Sequence, residues 1–123
     1  MLDSRAIISR DYFKTKAPCI VSYPVADGFA NIFITKEGDT FAYGYATTHM
    51  NLENLTNTHA DQLISMFSGD IISIEKKEDI NFFKDEFLID LDWMKNNLEH
   101  RHVPPKEEID YIENLFLKSI ETL

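Results

Sequence analysis

The feature that most constrains the fold is a regular apolar pattern in the second half of the chain. Between residues 78 and 101, apolar side chains recur at steps of three and four residues, at Ile80, Phe83, Phe87, Leu91, Met94 and Leu98. Because an α-helix completes a turn about every 3.6 residues, these steps place the side chains along one stripe. The pattern predicts a long helix over residues 78–101 that buries this stripe in a core.

A second long helix is predicted close to the C-terminus. Val103-Pro104-Pro105 ends the first helix, because proline lacks a backbone donor and clashes with the preceding turn. Proline is favoured in the first turn of the next helix, where the helix dipole also favours acidic side chains such as Glu107 and Glu108. The expected core stripe of this helix consists of Ile109, Ile112, Phe116, Ile120 and Leu123.

The first half of the chain has a different pattern, in which short apolar runs are separated by turn residues. Runs over residues 19–23, 30–35 and 40–45 predict an antiparallel meander of three strands. Residues 71–74 predict a fourth strand. Residues 47–57 are polar and lack periodicity, so they are predicted to form a loop.

Two shorter helices are expected around these strands. One begins with Asp3 or Ser4 as its cap and runs through about Lys16, with Ile8 and Tyr12 on one face. The other begins with Thr58 as its cap. The side chains of the second helix expected to face the core are Leu63, Ile64 and Phe67. The elements together predict an α+β fold, in which a small antiparallel sheet packs with helices and two long helices lie at the C-terminus.

We expect residues 1–123 to form a single globular domain. The length suits one domain, and the 44% of hydrophobic residues supply enough apolar material for a core. Cys19 is the only cysteine, which excludes an intramolecular disulfide, and its apolar neighbours predict a buried thiol. Because no signal peptide or membrane span is recognised, a cytoplasmic location without membrane contact is expected.

The charge of the chain indicates the class of its partners. The chain has 12 basic and 21 acidic residues, a net charge of −9. The imbalance is concentrated after residue 68, where 7 basic residues stand against 14 acidic ones. An acidic surface repels the phosphates of nucleic acids, so direct nucleic-acid binding is not expected. A basic protein is the partner that this charge favours.

The helix predicted over residues 78–101 carries two further rows of side chains. Phe82, Ile89 and Trp93 lie almost opposite the main apolar stripe, where a surface helix is ordinarily polar. An acidic row recurs every seven residues, close to two helical turns, at Glu78, Asp85, Asp92 and Glu99. This helix is therefore apolar on two sides and acidic between them.

Two explanations for the second apolar row remain open. In the first, the helix is sandwiched between other elements and both apolar faces are buried. In the second, the row is an exposed patch that a charged rim surrounds, as at a protein interface. The rim would consist of Asp85, Glu86 and Asp92.

Three groups of side chains are candidates for chemistry. His100 and His102 are candidate metal ligands, with His49 or His59 completing the site. Cys19 with His49 or His59 is a candidate nucleophile and base, and Asp90 with Asp92, or Asp85 with Glu86, is a candidate cation site. Side chains two residues apart on a helix diverge, and a thiol in mid-strand lacks the helix N-terminus that would lower its pKa. Each group has a simpler role, at a helix C-terminus, in the core or on a solvated face. We therefore expect no enzymatic activity, no cofactor and no metal.

A small acidic domain with an acidic aromatic helix and no catalytic constellation resembles, in type, bacterial immunity proteins. These belong to contact-dependent growth inhibition and related secreted-toxin systems. The resemblance implies a non-enzymatic protein that binds and neutralises a cognate toxin, such as a basic nuclease. The residues expected to bind this partner are Phe82, Asp85, Glu86, Ile89, Asp92, Trp93 and Glu99. The alternatives are an adaptor or regulatory subunit, a mimic of DNA charge, and a small enzyme built around His49, His59 or the tyrosine-rich strand at residues 43–45.

Overall fold

The computed structural model describes residues 3–43 and 48–123, and for residues 57 and 58 it describes the backbone only. The chain divides into two compact units, Met1–Ile74 and Glu75–Leu123. Within the described residues, the first unit contains a five-stranded antiparallel sheet and two α-helices, and the second contains two α-helices. The predicted α+β class is therefore confirmed, whereas the expectation of one domain stays a prediction.

The sheet of the first unit is built from short strands. They are β1 (Cys19–Val25), β2 (Gly28–Ile34), β3 (Asp39–Tyr43), β4 (His49–Asn51) and β5 (Asp70–Ser73), in the order β4-β3-β2-β1-β5. Gly28 begins β2 directly after a two-residue turn, and its φ of +144° is a conformation that glycine adopts most readily. The predicted three-strand meander is present, and β5 pairs beside β1 on its outer side.

The segment predicted to be a loop, residues 47–57, contains β4, a strand that the sequence pattern did not predict. His49–Asn51 pairs with β3, and the buried side chains of Met50 and Leu52 anchor it. Cross-strand pairing and burial hold this strand, which is too short to produce a recognisable alternation in the sequence. Residues 44–47, which include the predicted end of the third strand, lie outside the described residues.

Helix α1 (Ser4–Lys16) begins where the sequence predicts it. Asp3 is the N-cap, and its carboxylate accepts a hydrogen bond from the backbone N–H of Arg5 at 2.7 Å. The buried face of the helix consists of Ala6, Ser9 and Phe13. Ile8 and Tyr12 share a face as predicted, and that face is exposed to solvent.

Helix α2 (Asn57–Ser65) has Thr56 as its N-cap, so the prediction that Thr58 caps it is wrong by two residues. The helix leads directly into a 3₁₀ turn, Met66–Ser68. The prediction that Phe67 faces the core is wrong, because Phe67 is exposed and Met66 is buried in its place. A 3₁₀ helix has about three residues per turn, so it rotates the side chains that follow α2 out of the α-helical row. The ring of Phe67 stacks instead on Tyr12, with the ring centroids 4.9 Å apart.

The core of the first unit lies between α1, α2 and one face of the sheet. Its buried side chains include Phe13, Cys19, Val21, Ile32, Ile34 and Leu63. Cys19 is a free, fully buried thiol, as predicted. Burial raises the pKa of this thiol to about 11, because the apolar surroundings disfavour the thiolate.

The second unit consists of a 3₁₀ turn, Lys77–Ile80, followed by α3 (Asn81–Lys95) and α4 (Lys106–Glu121). The predicted core stripes of both helices are confirmed at nine positions, which are Ile80, Phe83, Phe87, Leu91, Met94, Ile109, Ile112, Phe116 and Ile120. Steps of three and four residues therefore identified the buried faces correctly along almost their whole length.

The two helices of the second unit pack through aromatic side chains. The ring centroid of Phe87 on α3 lies 4.5 Å from that of Phe116 on α4, and the ring of Phe83 lies 6.1 Å from the same ring. A hydrogen bond of 2.8 Å from the Lys95 ammonium to the Glu113 carboxylate also joins α3 to α4. These contacts fix which side of α3 is turned inward.

Helix α3 is shorter than predicted, since it ends at Lys95 rather than near residue 101. The side-chain amide of Asn97 donates to the carbonyl oxygen of Trp93 at 2.7 Å, while the Asn97 backbone N–H turns to Met94 at 3.1 Å. Such local bonds compete with the backbone pattern that would continue the helix. Leu98 lies beyond this end and is exposed, so its predicted place in the core is wrong.

Candidate protein-binding surface

Helix α3 carries an exposed apolar row opposite its buried stripe. The exposed fractions of Phe82, Ile89 and Trp93 are 66%, 65% and 48%. Steps of seven and four residues align Ile89 and Trp93 within about 20° of Phe82 around the helix, over a length of about 16 Å. Of the two explanations that the sequence leaves open, the exposed patch is the one found, and the second apolar face is not buried.

The charged side chains that border this row on α3 are acidic. Asp85 and Asp92 lie along one side of the row, and Glu86 lies on the other side. All three carboxylates are exposed. The basic residues of α3, Lys84 and Lys95, lie on the far side of the helix. On α3, the charged side chains at the margins of the apolar row are therefore all negative.

The acidic row predicted every seven residues is not continuous. Glu78 lies in the 3₁₀ turn before α3 and Glu99 lies in the turn after it, because the helix is shorter than predicted. Glu99 is therefore not aligned with the other predicted partner-binding residues. The remaining six form what we term the α3 surface: Phe82, Asp85, Glu86, Ile89, Asp92 and Trp93.

Asp90 lies between the α3 surface and the buried stripe and is half-buried. Burial raises the pKa of the Asp90 carboxyl, because its charged form is poorly solvated there. Asp92, two residues further along, is exposed and points in a different direction. The two carboxylates therefore do not converge on a common cation site.

The turn after α3 brings a histidine against the end of the α3 surface. The imidazole of His100 meets the Trp93 indole edge to face, with the ring centroids 5.8 Å apart and the planes at 65°. The ring of His102 follows, 5.7 Å from that of His100. Sequence reasoning missed this contact, because a helix that continues to about residue 101 would keep His100 two turns beyond Trp93. The sequence feature that could have indicated an earlier helix end is the pair Asn96-Asn97, which directly follows Lys95.

Hydrogen bonds along this turn engage both imidazoles. The backbone N–H of His102 donates to Nδ1 of His100 at 3.3 Å. The Arg101 Nε–H donates to Nε2 of His102 at 3.1 Å. The turn also closes through backbone bonds from His100 to Asn97 and from Val103 to His100, each 3.0 Å long. The position of the His100 ring beside Trp93 is thus determined by the turn.

The candidate pair of Cys19 and His49 is not formed. His49 lies in a polar cluster on β4, where its Nε2 is 3.2 Å from Oδ1 of Asp39, which also accepts from Asn51 at 3.0 Å. Successive strand residues point to opposite faces of a sheet. Since Met50 is in the core with Cys19, the side chain of His49 lies on the other face.

The remaining candidates are His59 and the possible metal ligands. His59 lies on α2, with Nδ1 3.3 Å from the Thr56 hydroxyl. Across residues 3–43 and 48–123, no three His, Cys, Asp or Glu side chains are grouped as metal ligands would be. None of the helices in the same ranges has the length and hydrophobicity that crossing a membrane requires.

The chain has no significant match among protein-family models, curated proteins or solved structures. The α3 surface itself combines, on one helix, an apolar row that water solvates poorly and a margin of carboxylates.

Proposed function

We propose that this chain is a non-enzymatic protein-binding domain that uses the α3 surface to bind and neutralise a basic toxin domain. Bacterial immunity proteins, which the chain resembles in type, act in this way. The observation that carries the proposal is the exposure of Phe82, Ile89 and Trp93 in a row bordered by carboxylates. A cytoplasmic location is part of the proposal, because an antidote acts where its toxin would.

The apolar row supports the proposal because it offers the contacts that dominate protein interfaces. Aromatic side chains are enriched at such interfaces, and a few central ones carry most of the binding energy. About half of the Trp93 side chain is in contact with its own chain, which includes the His100 ring. These contacts orient the indole before binding, so little conformational entropy is lost when a partner binds. We expect the indole of Trp93 to be the central contact, with Phe82 and Ile89 beside it.

The carboxylates of the α3 surface support a basic partner. Acidic groups around an apolar contact accelerate the encounter with a positively charged surface and reject partners of like charge. A net charge of −9 acts in the same direction over longer distances. A nuclease toxin, with a cleft that is basic in order to hold phosphates, is the partner class that meets these demands.

The proposal is tested by capture from the native host, followed by binding kinetics. The tagged full chain is used as bait at low salt, and the captured protein is identified and purified. We expect one basic protein in stoichiometric amount, with an association rate that falls as salt is added. The activity of the captured protein is then assayed with and without the chain, and we expect the chain to suppress it.

Matched variants locate the binding surface. Trp93→Ala is compared with Phe29→Ala, since Phe29 is a similarly exposed aromatic residue on β2 with an exposed fraction of 65%. We expect Trp93→Ala to weaken binding by about 2 kcal/mol or more. The Phe29 variant should bind like the wild type. Equal affinities for both variants would remove Trp93 from the interface and contradict the proposal.

A second pair of variants tests the role of charge. The double variant Asp85→Asn, Asp92→Asn is compared with Glu107→Gln, Glu108→Gln on α4, which changes the net charge by the same amount. We expect slower association and a weaker salt dependence in the α3 variant only. If the two double variants associate at equal rates, the carboxylates of α3 do not guide the partner.

Capture of a basic protein whose activity the chain leaves unchanged would favour an adaptor.

A further inference from the structure

Two histidines of the turn after α3 accept hydrogen bonds beside Trp93. Nδ1 of His100 accepts the backbone N–H of His102, and Nε2 of His102 accepts the Nε–H of Arg101. A ring nitrogen of histidine accepts a hydrogen bond only when it carries no proton, and a protonated imidazole is a donor at both nitrogens. The observed arrangement therefore requires both rings to be neutral. We refer to residues 100–102 as the histidine clasp.

We propose that the histidine clasp is an acid-sensitive device that holds the Trp93 indole in place and releases it when the imidazoles are protonated. The inference rests on the proposed function of the α3 surface, since it describes how that surface is regulated. It depends on three contacts that share one short turn: two hydrogen bonds to imidazole nitrogens and the ring contact between His100 and Trp93.

Protonation opposes each hydrogen bond of the clasp. A proton on Nδ1 of His100 would face the N–H of His102, donor against donor. A proton on Nε2 of His102 would face the guanidinium of Arg101, so that two positive groups oppose each other at the 3.1 Å contact. Histidine is the side chain whose ordinary titration lies within the physiological range. Glu99 and Arg101 flank His100 along the chain, and Trp93 is the α3 side chain against its ring.

Release of Trp93 has a consequence for the proposed partner. A tryptophan held by its neighbours is ordered before binding, whereas a free one must be ordered at the interface. We therefore expect the affinity of the α3 surface to fall about threefold to tenfold when the clasp opens. The partner would be held most tightly near neutral pH and less tightly in acid.

The sequence supplies a direct reporter, because Trp93 is the only tryptophan in the chain. Acrylamide quenching of its fluorescence measures how accessible the indole is, in the full chain and without any partner. Quenching is measured from about pH 8 to about pH 5, the range in which imidazoles titrate. Far-UV circular dichroism at each pH verifies that the chain stays folded. We expect the quenching constant to rise as the pH falls.

Three variants assign the transition to the clasp. The double variant His100→Asn, His102→Gln keeps an acceptor oxygen near each accepting ring nitrogen but cannot titrate, so its quenching constant should not change with pH. His100→Ala removes both the acceptor and the ring, so its constant should already be high at about pH 8. His59→Gln on α2 is the matched control, and we expect it to respond to pH like the wild type.

A wild-type quenching constant that is equal at both ends of the pH range would overturn the inference. So would a pH response that survives in the double variant His100→Asn, His102→Gln, because the titrating group would then lie elsewhere. The proposed function is tested separately, by comparing the binding of Trp93→Ala and wild type to the purified partner at about pH 8, where imidazoles are neutral. Separate measurements therefore test the acid sensitivity of the histidine clasp and the binding role of Trp93, and either proposal can be contradicted without the other.

Discussion

Gly69 lies so close to the main chain of β1 that a Cβ atom on it would sit 2.5 Å from the carbonyl oxygen of Ser22. The same atom would lie 2.8 Å from Cβ of Tyr23. Both neighbours belong to a strand paired on each side, so they are not free to move aside. The absence of a side chain at Gly69 is what allows the chain to pass from α2 into β5 at this distance from β1.

Replacement of this glycine should therefore destabilise the first unit. We expect Gly69→Ala to lower the free energy of unfolding by about 1–3 kcal/mol, the usual cost of adding a methyl group where there is no space. Urea denaturation followed by circular dichroism measures it. Ser68→Ala, at the exposed preceding residue, should cost less than about 1 kcal/mol. A Gly69→Ala variant as stable as the wild type would show that β1 shifts without penalty.

The thiol of Cys19 should be unreactive in the native state. It is fully buried, and burial raises its pKa to about 11 from an ordinary value of 9.0. At a given pH below this range, that shift lowers the thiolate fraction about a hundredfold, and only the thiolate attacks a disulfide reagent. We expect labelling at about pH 8 to be rapid in urea and very slow in buffer. Rapid labelling without denaturant would mean that this core opens readily.

The two faces of α3 should respond differently to the same substitution. Phe87→Ala removes a ring that packs on Phe116 in the core, and we expect it to cost about 3–5 kcal/mol of unfolding free energy. Phe82→Ala removes an exposed ring and should change stability by less than about 0.5 kcal/mol. Both variants make the same change of residue in the same helix, so helix propensity cancels. Equal losses in thermal or urea unfolding would contradict the assignment of an exposed face.

The half-buried carboxyl of Asp90 should make stability depend on pH. Its folded-state pKa is raised by burial, so folding favours the protonated form and the ionised form costs stability. This cost is present above the folded-state pKa and disappears as the pH falls through it. We expect Asp90→Asn to be more stable than the wild type at about pH 7, with a difference that shrinks towards about pH 4. Urea titrations at the two pH values measure the difference.

The exposed residue Asp92 provides the control for this prediction. It lies on the same helix and undergoes the same change in Asp92→Asn, so helix propensity and net charge change equally. We expect its effect on stability at about pH 7 to stay within about 0.5 kcal/mol. If Asp92→Asn and Asp90→Asn stabilise the chain equally, relief of repulsion between carboxylates, rather than desolvation of Asp90, is the cause.

Local periodicity was enough to predict which side of each long helix is buried. Phe83 and Phe87 were assigned to the core because they belong to a row with steps of three and four residues, and both are buried. The same reasoning placed Phe82 on the opposite face, but whether another element covers that face depends on contacts between distant residues. Strand β4 was missed for a related reason, since three residues held by pairing with β3 leave no periodic signal.

The candidate surface was only partly predictable because its end depends on where α3 stops. A helix continued to residue 101 would have aligned Glu99 with Asp92 and kept His100 about two turns beyond Trp93, too far away for a ring contact. The side-chain amide of Asn97 bonds to Trp93 instead and starts a turn that folds His100 onto the indole. The competition between a side-chain amide and a backbone N–H for one carbonyl oxygen is too finely balanced for residue spacing to resolve.

The separation of the two faces of α3 has a consequence for how such a protein can diverge. The fold of the second unit depends on Phe83, Phe87 and their contacts with Phe116, whereas Phe82, Ile89 and Trp93 face solvent. Substitutions on the outer face therefore leave stability almost unchanged and are free to alter the proposed binding surface. A lineage can acquire a new binding specificity through a few codons while its architecture persists. Descendants would then agree at the inner positions of this helix and differ at the outer ones.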